Sequence, residues 1–505
     1  MADVERTLRR LWSAALADGD AAVGNADDFF AAGGDSLAAT ELAVGLQQEL
    51  GVEVSPGWLY EHPRFGETLA VLERLTAAGP SCDRLPLGPH IGGRDHPMSA
   101  QQQGLAVVLD RVAGAHRYQA GYAAILPDPV DAGAAREAIG ALGLRHTALR
   151  TAIRGSRQVI EDDPPPMEVL PTDASGLALA REWASVPIAV DDRHLTRFAL
   201  VTGASQTLLV MAAHQMVTDP WSWGVLLSEF ASRLTAREPA DGPPLQYSDY
   251  ARWQQAHLTG AGYERDLAFW RGQCAGIPAT GIPLPGAPGS YPGAGPADTM
   301  PVAIPARVAK PLRLAAQKLR VSVFHLLLAV FQISVARWTG SGDVLIGTAT
   351  ANRHLPGTGD IPGYFVNGRV TRGEISRRTT VAGAAVRVRD EWALADAHRE
   401  LHLEPALIAL GVPDLVNVKF SMNAIPTLAP LPSMGGRALR AARIVSVISA
   451  RRAVSVALAP DGDAFRGTLM YRSDIVPVGS AATLIRLFSD LAGHAAVAVN
   501  RPLTP

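Results

Sequence analysis

Apolar residues in the first part of the chain return every three or four positions. Val4, Leu8, Leu11, Trp12 and Ala15 form one row, and Leu37, Leu42, Leu46 and Leu50 form a second that stops at Gly51. This spacing predicts two amphipathic helices, then a short one at Trp58-Leu59-Tyr60 and a last one from Phe65 to Leu75. Together they predict an all-α four-helix bundle over residues 1–78. Turn formers then crowd the chain, and Pro86, Gly88, Pro89, Gly92 and Gly93 mark a linker over residues 79–97.

From residue 98 the pattern changes to short apolar runs alternating with helical stretches. Phe198–Val201 and Leu208–Met211 read as buried strands, and Ala132–Leu142 and Val225–Leu234 as helices. The Gly- and Pro-rich stretch Gly276–Pro296 has no period and is expected to bridge two lobes or lie over the surface. Beyond it, helices are predicted near Ala306–Leu319 and Ser322–Trp338, and strands near Val344–Ile346, Val416–Ser421 and Val454–Ala459. The fold class is therefore multidomain, an α-helical bundle followed by an α/β part with lobes at 98–265 and 266–505.

Composition narrows the function classes. The chain is 48% hydrophobic and 19% charged, as in a globular protein, and a net charge of −2 argues against nucleic acid as a partner. No run approaches the roughly 20 apolar residues a membrane helix needs, so no membrane is expected. Met1-Ala2-Asp3-Val4-Glu5-Arg6 begins a helix rather than a secretion signal. Cys82 and Cys274 lie far apart without metal spacing, which fits a reducing, cytoplasmic setting. No metal site is expected, since no His/Cys cluster is present.

Two places carry candidate chemistry. Ser36 follows Gly33-Gly34-Asp35 where a helix begins, and the residues alone leave two readings. Asp35 and Ser36 are favoured helix-capping residues, or Ser36 carries a phosphodiester that the free N–H groups of the helix start would favour. The second place is His214-Gln215-Met216-Val217-Thr218-Asp219-Pro220, polar residues that end a buried strand and open a helix. Such loops place reactive groups on a rigid scaffold.

Both places resemble a known family. Asp27-Asp28-Phe29-Phe30, then Gly33-Gly34-Asp35-Ser36-Leu37, resembles a peptidyl carrier protein of nonribosomal peptide synthetases. The resemblance implies that Ser36 bears 4′-phosphopantetheine, added by a phosphopantetheinyl transferase, with its cargo held as a thioester. The His214 segment resembles the His-His-x-x-x-Asp-Gly signature of condensation domains, with Gln215 and Pro220 in place of the second histidine and the glycine. Further segments resemble condensation motifs in the expected order. They are Ser99–Leu105, Arg145–Thr151, Tyr247–Gln254, Ile346–Arg353, Gly363–Asn367 and, more weakly, His398–Glu404. The resemblance implies a two-lobed, chloramphenicol-acetyltransferase-like fold with a tunnel. Donor and acceptor arms would enter it from opposite faces and meet at His214, and the upstream carrier would be the donor.

The substitutions bear on mechanism. In the family the second histidine contacts the nucleophile. Gln215 can position an amine, but it has no useful proton affinity near neutral pH. Losing a general base typically costs about 10²–10⁴-fold in rate. Pro220 lacks an N–H and fixes its φ. His214 is expected to support the loop. Asp219 is expected to pair with Arg353 in a structural ion pair beneath the tunnel. Trp221, Trp223, Tyr250 and Trp253 read as core or tunnel-wall aromatics, and His146, His398 and His402 as structural or surface histidines.

No adenylation signature is present, so the cargo is expected from a separate adenylation enzyme or an upstream synthetase module. Two functions stand. One is a free-standing carrier–condensation protein that transfers its acyl group to an amine or alcohol, on an acceptor carrier or a free small molecule. The other is a silent platform that presents the cargo to a recruited tailoring enzyme. Dehydration or cyclisation of the tethered group is a third, weaker reading.

Overall fold

The helical periodicity of the first part becomes four helices in a computed structural model. They are α1 (Ala2–Ala15), α2 (Ser36–Leu50), α3 (Trp58–Glu61) and α4 (Phe65–Ala78). The structure describes the chain apart from residues 1, 17–22, 31, 33, 35, 53, 55–57, 79–86, 90–91, 112–117, 173–174, 204–205, 236–244, 287–294, 423–432, 435–436, 439, 444–448, 451 and 503–505. Leu8, Trp12, Phe29, Leu42, Leu46, Phe65 and Leu72 form the bundle core. Trp12 meets Phe29 and Phe65 edge-on, with ring centroids 5.0 and 5.4 Å apart, a favourable aromatic geometry.

The next fold begins inside the stretch expected to be linker. Strand Asp95–Pro97 already pairs with Arg157–Ile160, which pairs in turn with Thr151–Arg154. The main sheet of the first lobe runs in the order Arg440–Arg443, Gln119–Leu126, Thr207–His214, Thr196–Gly203, Met167–Thr172. Every residue of Thr207–His214 is buried, because both of its faces are covered. Ile139, Leu142, Trp223, Leu226 and Phe230, from helices Ala132–Arg145 and Pro220–Leu234, pack on one face. Ala180 and Ala184, from helix Gly176–Ser185, pack on the other. Each large side chain buried this way contributes about 1.5–3 kcal/mol, so the strand is a rigid mount for the loop that follows it.

The second lobe is a seven-stranded sheet. Its order is Asn367–Glu374, Asp343–Thr350, Val418–Met422, Val454–Asp461, Ala464–Arg472, Gly295–Ile304, Ser449–Ala450. Helices Ala306–Lys318, Val323–Thr339, Val381–Asp396 and Val478–Ala498 supply its apolar cover.

Helix Gly260–Cys274 runs across the expected lobe boundary at 265/266. Its Leu267, Trp270 and Cys274 lie in the core of the second lobe, and Trp270 Nε1 donates to Leu401 O at 3.0 Å. Burial pushes the Cys274 thiol up to about 11, while Cys82 lies outside the described residues. The aperiodic stretch after this helix is pinned to the second lobe. Ile282 and Leu284 are buried there, and Asn417 clasps the Ile282 backbone through bonds of 3.2 and 2.7 Å. Strand Arg440–Arg443 returns from the second half of the sequence to pair with Gln119–Leu126 of the first lobe. Among the described residues no single helix is long and apolar enough to cross a membrane.

Candidate active site

Strand Thr207–His214 delivers the loop Gln215–Thr218, and Asp219 caps helix Pro220–Leu234. The cap is reciprocal. Asp219 Oδ1 accepts from Ser222 N at 2.9 Å, while Ser222 Oγ accepts from Asp219 N at 3.2 Å. Pro220 sits at the first helical position, where a missing N–H breaks no helical hydrogen bond and the fixed φ suits the helix. The proline therefore leaves the helix start intact.

His214 is fully buried. Its Nδ1 accepts from Met216 N at 3.1 Å, which places the neutral ring's proton on Nε2, and Nε2 has no hydrogen-bond partner among the described residues. Burial lowers its pKa to about 4, so the ring is neutral at pH 7. The backbone N–H of Gln215 donates to Tyr118 O at 2.7 Å. Its side chain lines the cavity described below and makes no hydrogen bond among the described residues.

Asp219 ties together segments far apart in sequence. Oδ1 also accepts from Arg353 Nη2 at 2.9 Å, and Oδ2 accepts from Phe365 N at 3.1 Å. Arg353 Nη1 donates to Thr358 O and Ile361 O at 2.5 and 2.7 Å. Its guanidinium lies 4.2 Å from the Phe365 ring centroid. Burial pulls the Arg353 pKa down, and the Asp219 carboxylate opposes that shift.

The remaining motif segments brace the same loop. Gln102 Nε2 donates to Met216 O at 2.8 Å, and Ala100 N donates to Gln254 Oε1 at 2.7 Å. Tyr247 shares a 2.7 Å hydrogen bond with Ser99 Oγ and donates to Tyr364 O at 2.7 Å. Gly363 must be glycine, since a Cβ there would fall 2.1 Å from the Tyr247 ring. Trp221 Nε1 donates to Gly359 O at 2.8 Å, Trp223 stacks on Tyr122, and Tyr250 and Trp253 stack on each other.

The other histidines singled out in the sequence are occupied elsewhere. His146 Nε2 lies 3.1 Å from Glu229, and His398 Nδ1 lies 2.9 Å from Asp266. His402 Nε2 is shared with Asn352 and Tyr250.

A cavity of about 670 Å³ opens beside the loop. Gln215, Thr218 and Pro220 line it from the first lobe, and Asn352 and His354 from the second. Carrier residues Phe30 and Gly34 line the same cavity, together with Arg313 and Gln317. Ser36 is the first residue of α2, and Asp35 lies outside the described residues. Gly34 donates to Phe29 O at 2.9 Å, and a Cβ at Gly34 would meet the Phe29 ring at 2.4 Å. The turn before Ser36 is thus drawn tight by glycine. A phosphate attached at Ser36 would face the free N–H groups of a 15-residue helix, which fits a phosphodiester-linked arm.

One pair on the cavity wall was not singled out in the sequence. His354 follows Arg353 directly, and its Nε2 lies 3.3 Å from Glu400 Oε1. Its position beside a motif arginine was the available signal.

Residues 94–425 match the family described as condensation domain, and residues 6–72 match the phosphopantetheine attachment site. The chain is similar to part of the linear gramicidin synthase of Brevibacillus parabrevis, with 27% identity over 96% of this chain and 6% of that polypeptide. It is similar to enniatin synthetase of Fusarium oxysporum, with 27% identity over 97% of this chain and 16% of that protein. It therefore spans only a small part of these relatives. Among solved structures it shares its fold with the X-domain from teicoplanin biosynthesis, at a TM-score of 0.71 and 21% identity, covering 83% of this chain and 98% of that one. It also shares it with SgcC5 from Streptomyces globisporus, at a TM-score of 0.67 and 21% identity, covering 81% and 100%.

Proposed function

Because the chain belongs to the condensation-domain family and carries a phosphopantetheine attachment domain ahead of that fold, we propose that it transfers a carrier-bound acyl group. Ser36 holds an aminoacyl or peptidyl thioester through 4′-phosphopantetheine, and an amine or alcohol supplied in trans accepts it. The observation that supports this reading is the shared cavity, which Phe30 and Gly34 of the carrier line together with Gln215 of the reaction loop. An arm rooted beside Gly34 would present its thioester to that loop at high effective concentration.

The chain's own residues bind and orient. The ion pair of Asp219 and Arg353 fixes the loop, and the Gln215 amide offers a donor and an acceptor to an incoming amine. Holding the reactants in attack geometry supplies much of the rate when the thioester is already reactive. A phosphopantetheinyl transferase installs the arm, and a separate adenylation enzyme or upstream synthetase module provides the cargo.

Loading Ser36 from aminoacyl-coenzyme A with a phosphopantetheinyl transferase tests the reading. Free amines, alcohols and carrier-bound aminoacyl acceptors are then added, and products are followed by intact mass. The expected result is acyl loss from the carrier with a matching product, absent in Ser36→Ala. Hydrolysis alone with every acceptor overturns it.

The glutamine at position 215 favours a second reading, a platform that presents the tethered cargo to a tailoring enzyme. The X-domain of teicoplanin biosynthesis, solved in complex with OxyB at a TM-score of 0.68 and 21% identity to this chain, has the scaffold such a platform would use. Failure with all acceptors, combined with measurable affinity for a haem monooxygenase, is its signature.

A further inference from the structure

We propose that the proton acceptor for transfer comes from the second lobe, with His354 backed by Glu400 taking the role that Gln215 cannot fill. The inference rests on the acyl-transfer reading and names a catalytic residue for it. Among the described residues that line the cavity, His354 is the one histidine. Its side chain is 7% exposed, and Nε2 lies 3.3 Å from Glu400 Oε1. Nδ1 has no hydrogen-bond partner among the described residues. A neutral ring that donates from Nε2 to Glu400 keeps the Nδ1 lone pair for a proton, and the carboxylate stabilises the imidazolium that results.

The neighbouring charges agree with this role. Burial lowers the His354 pKa and Arg399 adds to that, while Glu400 and Asp396 oppose it, and His402 lies close by. The ring is therefore neutral at pH 7, as a base must be. The carboxylates on the same wall are held by arginines, which makes them poor bases. Asp219 pairs with Arg353, Asp396 with Arg369, and Glu404 lies 3.5 Å from Arg452. His214 has its Nδ1 bound to Met216 N and does not line the cavity.

In the step itself, the amine nitrogen adds to the thioester carbonyl carbon and the C–N bond forms. The nitrogen gives its proton to His354 Nδ1. The C–S bond then breaks, and the leaving thiolate takes that proton back. Amine and thioester become amide and thiol, with no net proton change.

The test compares single-turnover rates of the loaded full chain as wild type, His354→Gln and Glu400→Gln across pH, using the thioester and amine that turn over in the wild type. For His354→Gln the expected result is a rate loss of about 10²-fold or more. The half-saturating amine concentration should stay within about threefold, as for a group acting only in the transition state. Glu400→Gln should move the acid limb of the rate profile to lower pH, because the imidazolium loses its carboxylate. Ionisation of the acceptor adds the same limb to every variant, so the difference between variants is what is read.

A wild-type rate and pH profile in His354→Gln overturns the inference and leaves the transfer reading standing. If His354→Gln does not fold, an unmoved acid limb in Glu400→Gln overturns it. No turnover by the wild type overturns both.

Discussion

Arg353 of the second lobe donates to Asp219 of the first at 2.9 Å, and the two side chains are 0% and 1% exposed. Two charges at that depth lose their water, and their mutual attraction alone is a poor guarantee of net stabilisation. Here the other carboxylate oxygen accepts from Phe365 N, and Nη1 of the arginine reaches two carbonyls. The guanidinium also covers the Phe365 ring, a contact that a lysine ammonium would not reproduce with the same fork of donors. The pair thus joins the helix cap beside the reaction loop to the turn that precedes strand Asn367–Glu374 of the second lobe.

Arg353→Met leaves Asp219 as a buried, uncompensated carboxylate. The expected cost is about 3–5 kcal/mol on the unfolding transition of the condensation domain, read by urea denaturation. Arg353→Lys should fall between this variant and the wild type. The double variant Arg353→Met with Asp219→Asn should recover part of the loss, since no charge is then stranded. Equal stability of all these proteins would show that the pair does not hold the lobes.

Gly34→Ala places a methyl group 2.4 Å from the Phe29 ring, which Trp12 already packs against edge-on. Overpacking of this kind costs about 1–3 kcal/mol. Because the strain sits two residues before Ser36, loading by a phosphopantetheinyl transferase should slow along with the loss of carrier stability. Intact-mass time courses and thermal melts of the wild type and variant check both effects. Unchanged loading and melting would mean that the turn before Ser36 does not need glycine.

Pro220→Gly restores the residue of the family signature at the first position of helix Pro220–Leu234. Proline suits that position and limits the unfolded chain, so its removal should cost about 0.4–1 kcal/mol. The Asp219–Ser222 capping box persists without it, so the transfer rate should stay near the wild-type value. A large gain in rate would identify the proline, rather than Gln215, as the lesion in the reaction loop.

Much of this architecture was legible because it follows local rules. The three-to-four spacing of Leu8, Trp12, Leu42 and Leu46 marks helices that bury one face, and the apolar run Leu208–Met211 marks a strand covered on both faces. What escaped depends on distant partners. Nothing local to Arg440–Arg443 says that it pairs with Gln119–Leu126, and nothing in helix Gly260–Cys274 says which lobe its Trp270 enters. The linker reading ran too far because Asp95-His96-Pro97 is too short and polar to show as a strand without its partner Arg157–Ile160. In the site, the motif segments were visible as strings, but their convergence on Asp219 came from the fold. The contact between His354 and Glu400 spans 46 positions and has no periodicity to announce it.

His214 makes the stability of the protein depend on pH in a direction that can be worked out. Burial lowers its native pKa from 6.5 to about 4. Between those values the unfolded chain binds a proton that the native ring refuses, so stability rises with pH across the window. The contribution is fully present above pH 6.5 and is lost as the pH falls towards 4. A shift of that size corresponds to roughly 3 kcal/mol at most. His325 and His402, both lowered by burial to about 3, act in the same sense and are common to any pair of variants compared. His214→Asn keeps an acceptor for Met216 N but cannot titrate. Urea unfolding of the two proteins from pH 7 down to pH 4.5 should therefore show the wild type losing stability more steeply than the variant. Parallel profiles would mean that His214 is already protonated in the folded protein, and that it does more in this loop than hold Met216.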